Sequence, residues 1–259
     1  MRSLIHLGLI ASLTGGMIAA PALTRQHVAQ ALPEGRVLEQ LDGVPVFAIT
    51  NNNGVPILAS VQDPQNQGKK LQVTPLYMDQ KDAQAFVTTL KTEKPEVGGS
   101  AKVTAISLRQ AYEIAQKNEG QPERLVFDFV PQQKEVDAAK TVLKQNGEQV
   151  QEFAGIPIFY AVGGEQQGFL TVEQGDQKII PVYFRKQDLD GLLGQLKEQN
   201  PQLGASMTVK VTTLDQVIGM LMQANDPALE QVTLMPSMEA IQFAIEQQQQ
   251  QAPAAAPRR

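Results

Sequence analysis

Ser100 and Lys102 stand two positions apart, the nearest this chain comes to a nucleophile beside an amine base. Nothing around them would order either group, and the matching stretch later in the chain carries Ser206 with Thr208. Asp82 and Asp188 occupy equivalent places near two expected helix starts, where a carboxylate offsets the partial positive charge of a helix N-terminus. Asp188-Leu189-Asp190 has the spacing of two metal ligands, but no oxygen-rich loop follows, and calcium takes about six to eight oxygens. Gly163-Gly164-Glu165-Gln166-Gln167-Gly168 is glycine-rich, yet it follows a strand pattern and opens no helix, so it reads as a turn rather than a phosphate cradle.

What is missing says more. The 259 residues include no Cys and no Trp, and the two histidines, His6 and His27, both lie near the N-terminus. Met1-Arg2, the apolar run Leu4 to Leu13 and the small-residue patterns Ala20-Pro21-Ala22 and Ala29-Gln30-Ala31 make residues 1–31 a secretory leader. Cleavage after Ala22 or Ala31 fits, and the second leaves an acceptable start at Leu32-Pro33. Without residues 1–31 the chain has no His. Ser-His-Asp and Cys-His catalysis, His-ligated zinc and disulfides are then outside its chemistry. The leader holds Arg2 and Arg25 and no acid, so the net charge moves from −5 to −7 on its removal. An acidic, exported chain with dispersed Lys and Arg has no stripe to neutralise phosphates, which argues against nucleic acid as a partner.

The residues that remain must be positioned by a repeated framework. Gly43-Val44-Pro45-Val46-Phe47 returns 112 positions later as Gly155-Ile156-Pro157-Ile158-Phe159. Pro75-Leu76-Tyr77-Met78 returns after 106 positions as Pro181-Val182-Tyr183-Phe184, as do Leu90-Lys91 at Leu196-Lys197, Pro95 at Pro201 and Gly98 at Gly204. Phe129-Val130-Pro131 answers to Leu234-Met235-Pro236, and Val136 and Ala139 answer to Ile241 and Ala244. Each unit reads as a β-hairpin, then strand, helix, strand, helix, strand and a closing helix. The expectation is an α/β (α+β layered) fold with two pseudo-symmetric repeats, each a mixed sheet covered by helices. Lobe 1 would span 32–146 and lobe 2 147–246, with 247–259 a disordered Gln/Ala/Pro tail. Asp79 reads as an N-cap, and each first helix should stop before Pro95 or Pro201.

Two features bear on binding. Pro45 and Pro157 interrupt good strands, which suits a sheet edge, since proline gives no ladder donor. Such an edge beside Phe47 or Phe159 either accepts an extended peptide or is kept by proline from aggregating. Of six methionines after residue 31, five fall in the second repeat, Met220 and Met222 among them. They either fill a core or line an adaptable apolar groove.

The doubled Gly-[Val/Ile]-Pro-[Val/Ile]-Phe segments, Ile179 to Phe184 before an acidic helix, and Leu125 to Pro131 resemble the Tic22-like family. These are intermembrane-space proteins of the chloroplast inner-envelope translocon, with cyanobacterial and apicomplexan relatives. The short leader is similar to that of a cyanobacterial member. The resemblance spans about Leu38 to Ala244 and implies a non-enzymatic, chaperone-like protein transport factor without cofactor or metal. It implies a periplasmic location with some thylakoid association, or the intermembrane space in a plastid. It implies unfolded outer-membrane proteins as clients and the POTRA domains of an Omp85-type insertase as partner, with peripheral membrane contact. The alternative is a structural adaptor docking folded envelope or thylakoid partners. Apolar grooves, one per lobe, map loosely onto Pro45, Phe47, Tyr77, Pro157, Phe159, Tyr183, Met220 and Met222.

Overall fold

Pro45-Val46-Phe47-Ala48-Ile49-Thr50 is apolar on both alternating sets of positions, and a strand of that kind belongs where both of its faces are covered. In the computed structural model it is β2 (Pro45–Thr50), with Val46 to Thr50 all buried. The structure describes residues 12–13, 34–63, 70–118, 121, 125–164, 166–223 and 227–251. In chain order the strands are β1 (Ser12–Leu13), β2, β3 (Ala59–Gln62), β4 (Lys70–Tyr77), β5 (Lys102–Ser107), β6 (Leu125–Val130), β7 (Pro157–Gly163), β8 (Gly168–Gln174), β9 (Gln177–Tyr183), β10 (Thr208–Thr213) and β11 (Val232–Met235). The helices are α1 (Glu34–Asp42), α2 (Gln80–Glu93), α3 (Pro95–Gly98), α4 (Leu108–Asn118), α5 (Gln133–Gln145), α6 (Lys186–Gln199), α7 (Pro201–Ser206), α8 (Leu214–Gln223) and α9 (Met238–Gln251). The fold is mixed α/β with two sheets, as expected.

The two sheets share their central pairings. β2 runs antiparallel to β5 from Pro45↔Ser107 to Thr50↔Lys102 and meets β4 at Phe47↔Tyr77. β7 runs antiparallel to β10 from Pro157↔Thr213 to Val162↔Thr208 and meets β9 at Phe159↔Tyr183. β6 lies parallel to β4, and β11 parallel to β9. Pro45 and Pro157 are therefore not edge markers. Each is the first residue of a central strand, where a missing N–H costs the ladder little.

Local signals explain the helices. Asp79 caps α2, its side chain accepting from the N–H of Lys81 at 2.8 Å and of Asp82 at 3.3 Å. Pro95 and Pro201 end α2 and α6 as expected, but each also opens a short further helix, proline being suited to the first helical position. Gly98 and Gly204 follow because a Cβ would meet Lys91 Cα or Lys197 Cα at 2.5 Å. The recurrence of the glycine is thus a packing requirement. α1 precedes the first strand expected from the sequence, and its Val37 and Leu41, four apart, are fully buried.

The closing helices do not stay with their own repeats. Ala139 and Val142 of α5 pack in a core with Phe159, Leu170, Val172, Leu189, Leu192 and Leu196 of the second repeat. Ala240 and Phe243 of α9 pack with Phe47, Ile49, Ala83, Val87 and Val103 of the first. Phe243 meets the Phe47 ring edge-on, centroids 5.6 Å apart. The compact units accordingly join Gln133–Met235 with residues up to Gln40, and Leu41–Gln132 with the chain from Pro236 onward. The expected lobes 32–146 and 147–246 are contiguous in sequence, and the compact units are not. Gln247–Gln251, expected in a disordered tail, form the last turns of α9. Of the expected leader only Ser12–Leu13 is described, paired antiparallel with Leu170–Thr171 of β8; the rest of 1–31 and the tail from 252 lie outside the described residues.

The exchange also settles how α6 begins. Arg185 stands where Asp79 stands before α2 and makes no capping hydrogen bond. The cap comes from Glu135 of α5, whose Oε2 accepts from the Lys186 N–H at 2.9 Å while Glu135 is buried. Glu135→Ala is expected to lower stability by about 1–2 kcal/mol, read from urea unfolding, which is the usual scale for a lost cap. An unchanged midpoint would contradict the assignment.

Candidate functional site

The residues that carried the sequence expectation are mostly core. Phe47 and Phe159 are fully buried, and Tyr77 and Pro157 are buried too. Half-buried Tyr183 packs against the second-repeat core. These five lie in strands and contribute to the packing of the two cores. Burial pushes the Tyr183 hydroxyl up to about 12, with the Asp188 carboxylate adding to the effect. Burial likewise raises Tyr77, assisted by Asp128 and Asp82. Because the folded value exceeds the ordinary value near 10, the stability linked to Tyr183 is intact below about pH 10 and is lost as pH climbs towards 12. Tyr183→Phe is expected to flatten the alkaline fall of the melting temperature over that window; an identical fall would contradict it.

The candidate chemistry does not assemble. The Ser100 hydroxyl donates to Val97 O at 3.4 Å, whereas Lys102 Nζ donates to Asn52 O at 3.2 Å. Asp190 pairs with Lys186 at 2.6 Å, and Asp188 with Arg185 at 3.4 Å. Among the described residues no three His, Cys, Asp or Glu side chains converge on a metal position. No helix among them is long and apolar enough to cross a membrane.

Pro45 does reach a cavity. It measures about 330 Å³ and lies between the outer edge of β5 and α9, in the unit that holds both. Ala105, Ile106 and Ser107 of β5 form one wall, Ala244, Gln247 and Gln248 of α9 another, with Asp42 and Gln110 at the rim. The β5 edge is occupied by side-chain amides. Gln247 Oε1 accepts from the Ala105 N–H at 2.7 Å and its Nε2 donates to Val103 O at 3.1 Å. Gln110 Oε1 accepts from the Ser107 N–H at 3.0 Å, and the Ser107 hydroxyl donates to Asp42 Oδ1 at 3.0 Å. The β10 edge in the other unit is held differently, by Asn146 Nδ2 donating to Val209 O at 3.1 Å.

α9 is apolar on two faces. Ala240, Phe243 and Gln247 look into the sheet, while Met238, Ile241 and Ile245 follow the same three- and seven-residue spacing on the outside. Met238 is 74% exposed and Ile245 48%. By the displacement that matches Val136 with Ile241, the corresponding positions of α5 are Gln133 and Lys140. In the same unit as α9, Val55, Leu58 and Val61 are exposed around β3. In the other unit the exposed large apolar residues among those described are Phe169 and Met220, Met222 being half-buried. The exposed apolar residues of α9 lie where the repeats differ, at the paired positions Gln133/Met238 and Lys140/Ile245.

Comparison with known proteins agrees with this architecture. The family model described as the Tic22-like family matches residues 10–247. Protein TIC 22, chloroplastic, of Pisum sativum is 28% identical over 206 residues, covering 80% of this chain and 74% of that protein. Protein TIC 22, chloroplastic, of Arabidopsis thaliana is 29% identical over 77% of this chain and 67% of its own length. The solved structure of Anabaena Tic22, a protein of protein transport, aligns with a TM-score of 0.73 and 32% identity over 87% of this chain and 100% of that one. Tic22 from Plasmodium falciparum shares the fold at a TM-score of 0.63 and 18% identity, over 83% of this chain and 99% of that one. Sequence, fold and family model agree: the chain belongs to the Tic22-like family, a family of protein transport.

Proposed function

We propose that the protein is a non-enzymatic holding factor for unfolded outer-membrane proteins in the periplasm, delivering them to the POTRA domains of an Omp85-type insertase. The observation that carries this reading is the outer stripe of α9, exposed Met238 and Ile245 with half-buried Ile241 between them; α5 carries Gln133 and Lys140 at the two exposed positions, and its Val136 is buried. Burying an apolar side chain of this size yields roughly 1.5–3 kcal/mol, against which the ordering of a flexible client counts. Three such contacts give a grip that is reversible, as a factor that must release its cargo requires. Methionine and isoleucine offer contact area without hydrogen-bond demands, so a varied apolar segment can be accepted. The net charge of −7 that remains once the leader is removed keeps a loaded complex soluble. The family membership and the leader-like N-terminus support the transport role and the exported location.

The test dilutes a urea-unfolded outer-membrane barrel into buffer with and without the purified protein. The expected result is delayed aggregation near equal molar ratio, together with binding of isolated POTRA domains. Equal aggregation with no POTRA binding contradicts the proposal.

A further inference from the structure

The geometry points to the β5 edge as an acceptor for one extended segment of client polypeptide, with the Gln247 side chain acting as its built-in placeholder. A carboxamide has the same donor and acceptor as a peptide group. Gln247 uses both on one strand edge, accepting from the Ala105 N–H at 2.7 Å and donating to Val103 O at 3.1 Å. That is the pair of bonds one residue of an added strand would make. Open space continues from this position along Ile106 and Ser107 to Pro45 and Asp42, a cavity of about 330 Å³.

Displacing the placeholder exchanges two hydrogen bonds for two of the same kind. The exchange is close to neutral, so the side chains of the incoming segment decide whether it occurs. Pro45, Ile106 and Ala244 offer apolar contact on the cavity wall. Asp42 is the one formal charge among the residues lining it, which favours a segment carrying Lys or Arg at that end. Backbone pairing tolerates any sequence, and alternate side chains supply the preference; barrel strands, which alternate apolar and polar residues, have this pattern. Among the described residues the edge of β10 shows no such pair of bonds; there Asn146 donates to Val209 O. Acceptance of an extended strand therefore belongs to the unit that also carries the apolar stripe of α9.

This inference rests on the holding function proposed above and names how the client is gripped. The probe is a synthetic alternating apolar–polar peptide of about ten residues with one Lys, added to the full-length protein. Gln247→Ala is expected to tighten its binding about tenfold, the scale of removing one net competing interaction. In the same variant the Ala105 amide exchanges hydrogen faster, and added peptide restores its protection. A peptide N-methylated at alternate residues binds at least tenfold more weakly. Asp42→Asn weakens the Lys peptide several-fold and leaves a Lys-free peptide unchanged. Unchanged or weaker binding to Gln247→Ala, or equal binding of the N-methylated peptide, overturns the acceptor. If the protein still delays barrel aggregation in that case, the holding function stands and only the strand mode falls; failure of both assays removes both.

Discussion

A chain ended at Pro236 is expected to lose the sheet built from β2, β4 and β5, more than a hundred residues away, while β7, β9 and β10 keep theirs. The reason is the exchange of closing helices. Removing α9 takes Ala240 and Phe243 out of the core that holds Phe47, Ile49, Ala83, Val87 and Val103. It takes the edge-on ring contact from Phe47 and the amide plug from the β5 edge as well. A single buried Phe→Ala change costs about 3–5 kcal/mol, and whole domains are stable by only about 5–15 kcal/mol. Loss of the full helix exceeds what one such unit can tolerate. Hydrogen exchange reads the result directly: protection collapses in β2 and β5 and persists in β7 and β10. Loss in β7 and β10 with β2 and β5 intact would mean that each closing helix serves its own repeat, and the account of the fold would fail.

The double change Met238→Gln with Ile245→Lys is expected to weaken holding strongly while leaving the fold intact. It writes onto α9 the residues that α5 carries at the matching positions, Gln133 and Lys140. Gln and Lys are good helix formers, and substitutions at exposed positions usually stay within about 0.5 kcal/mol. Melting and exchange should therefore match the parent chain. Client affinity is expected to drop about ten- to a hundredfold, because two of the three outer apolar side chains are gone. The barrel-aggregation assay measures this. Unchanged holding by a folded double variant would remove α9 from the binding surface.

Much of the order of elements was legible because it rests on local chemistry. Asp79 before a periodic apolar run, Pro95 and Pro201 as helix stops, and the continuous apolar run Val44 to Ile49 each act within a few residues. Sheet position was not legible from the same residues. Proline is tolerated at an edge and at the first residue of a central strand, and only pairing with Ser107 or Thr213 distinguishes them. The helix exchange was hidden for a related reason. The buried face of α5 declares that Val136, Ala139 and Val142 meet apolar partners, and it is silent on which sheet supplies them. The closing helix reads as Ser237 to Gln248, while the glutamines from Gln247 have the composition of a low-complexity tail; the pairing of Gln247 with Val103 and Ala105 is a long-range contact that composition does not show. Repetition marks what the fold needs twice. Phe47 and Phe159 recur as core, whereas a surface that one unit uses alone appears as a mismatch between repeats.

The most direct measurement of the central claim places a photocrosslinking amino acid at position 245, and in a second strain at position 140, in intact cells. The account predicts that position 245 crosslinks to outer-membrane barrel proteins still in their unfolded form and that position 140, its counterpart on α5, does not. Equal crosslinking at both positions, or crosslinks from 245 to folded envelope proteins alone, would contradict it.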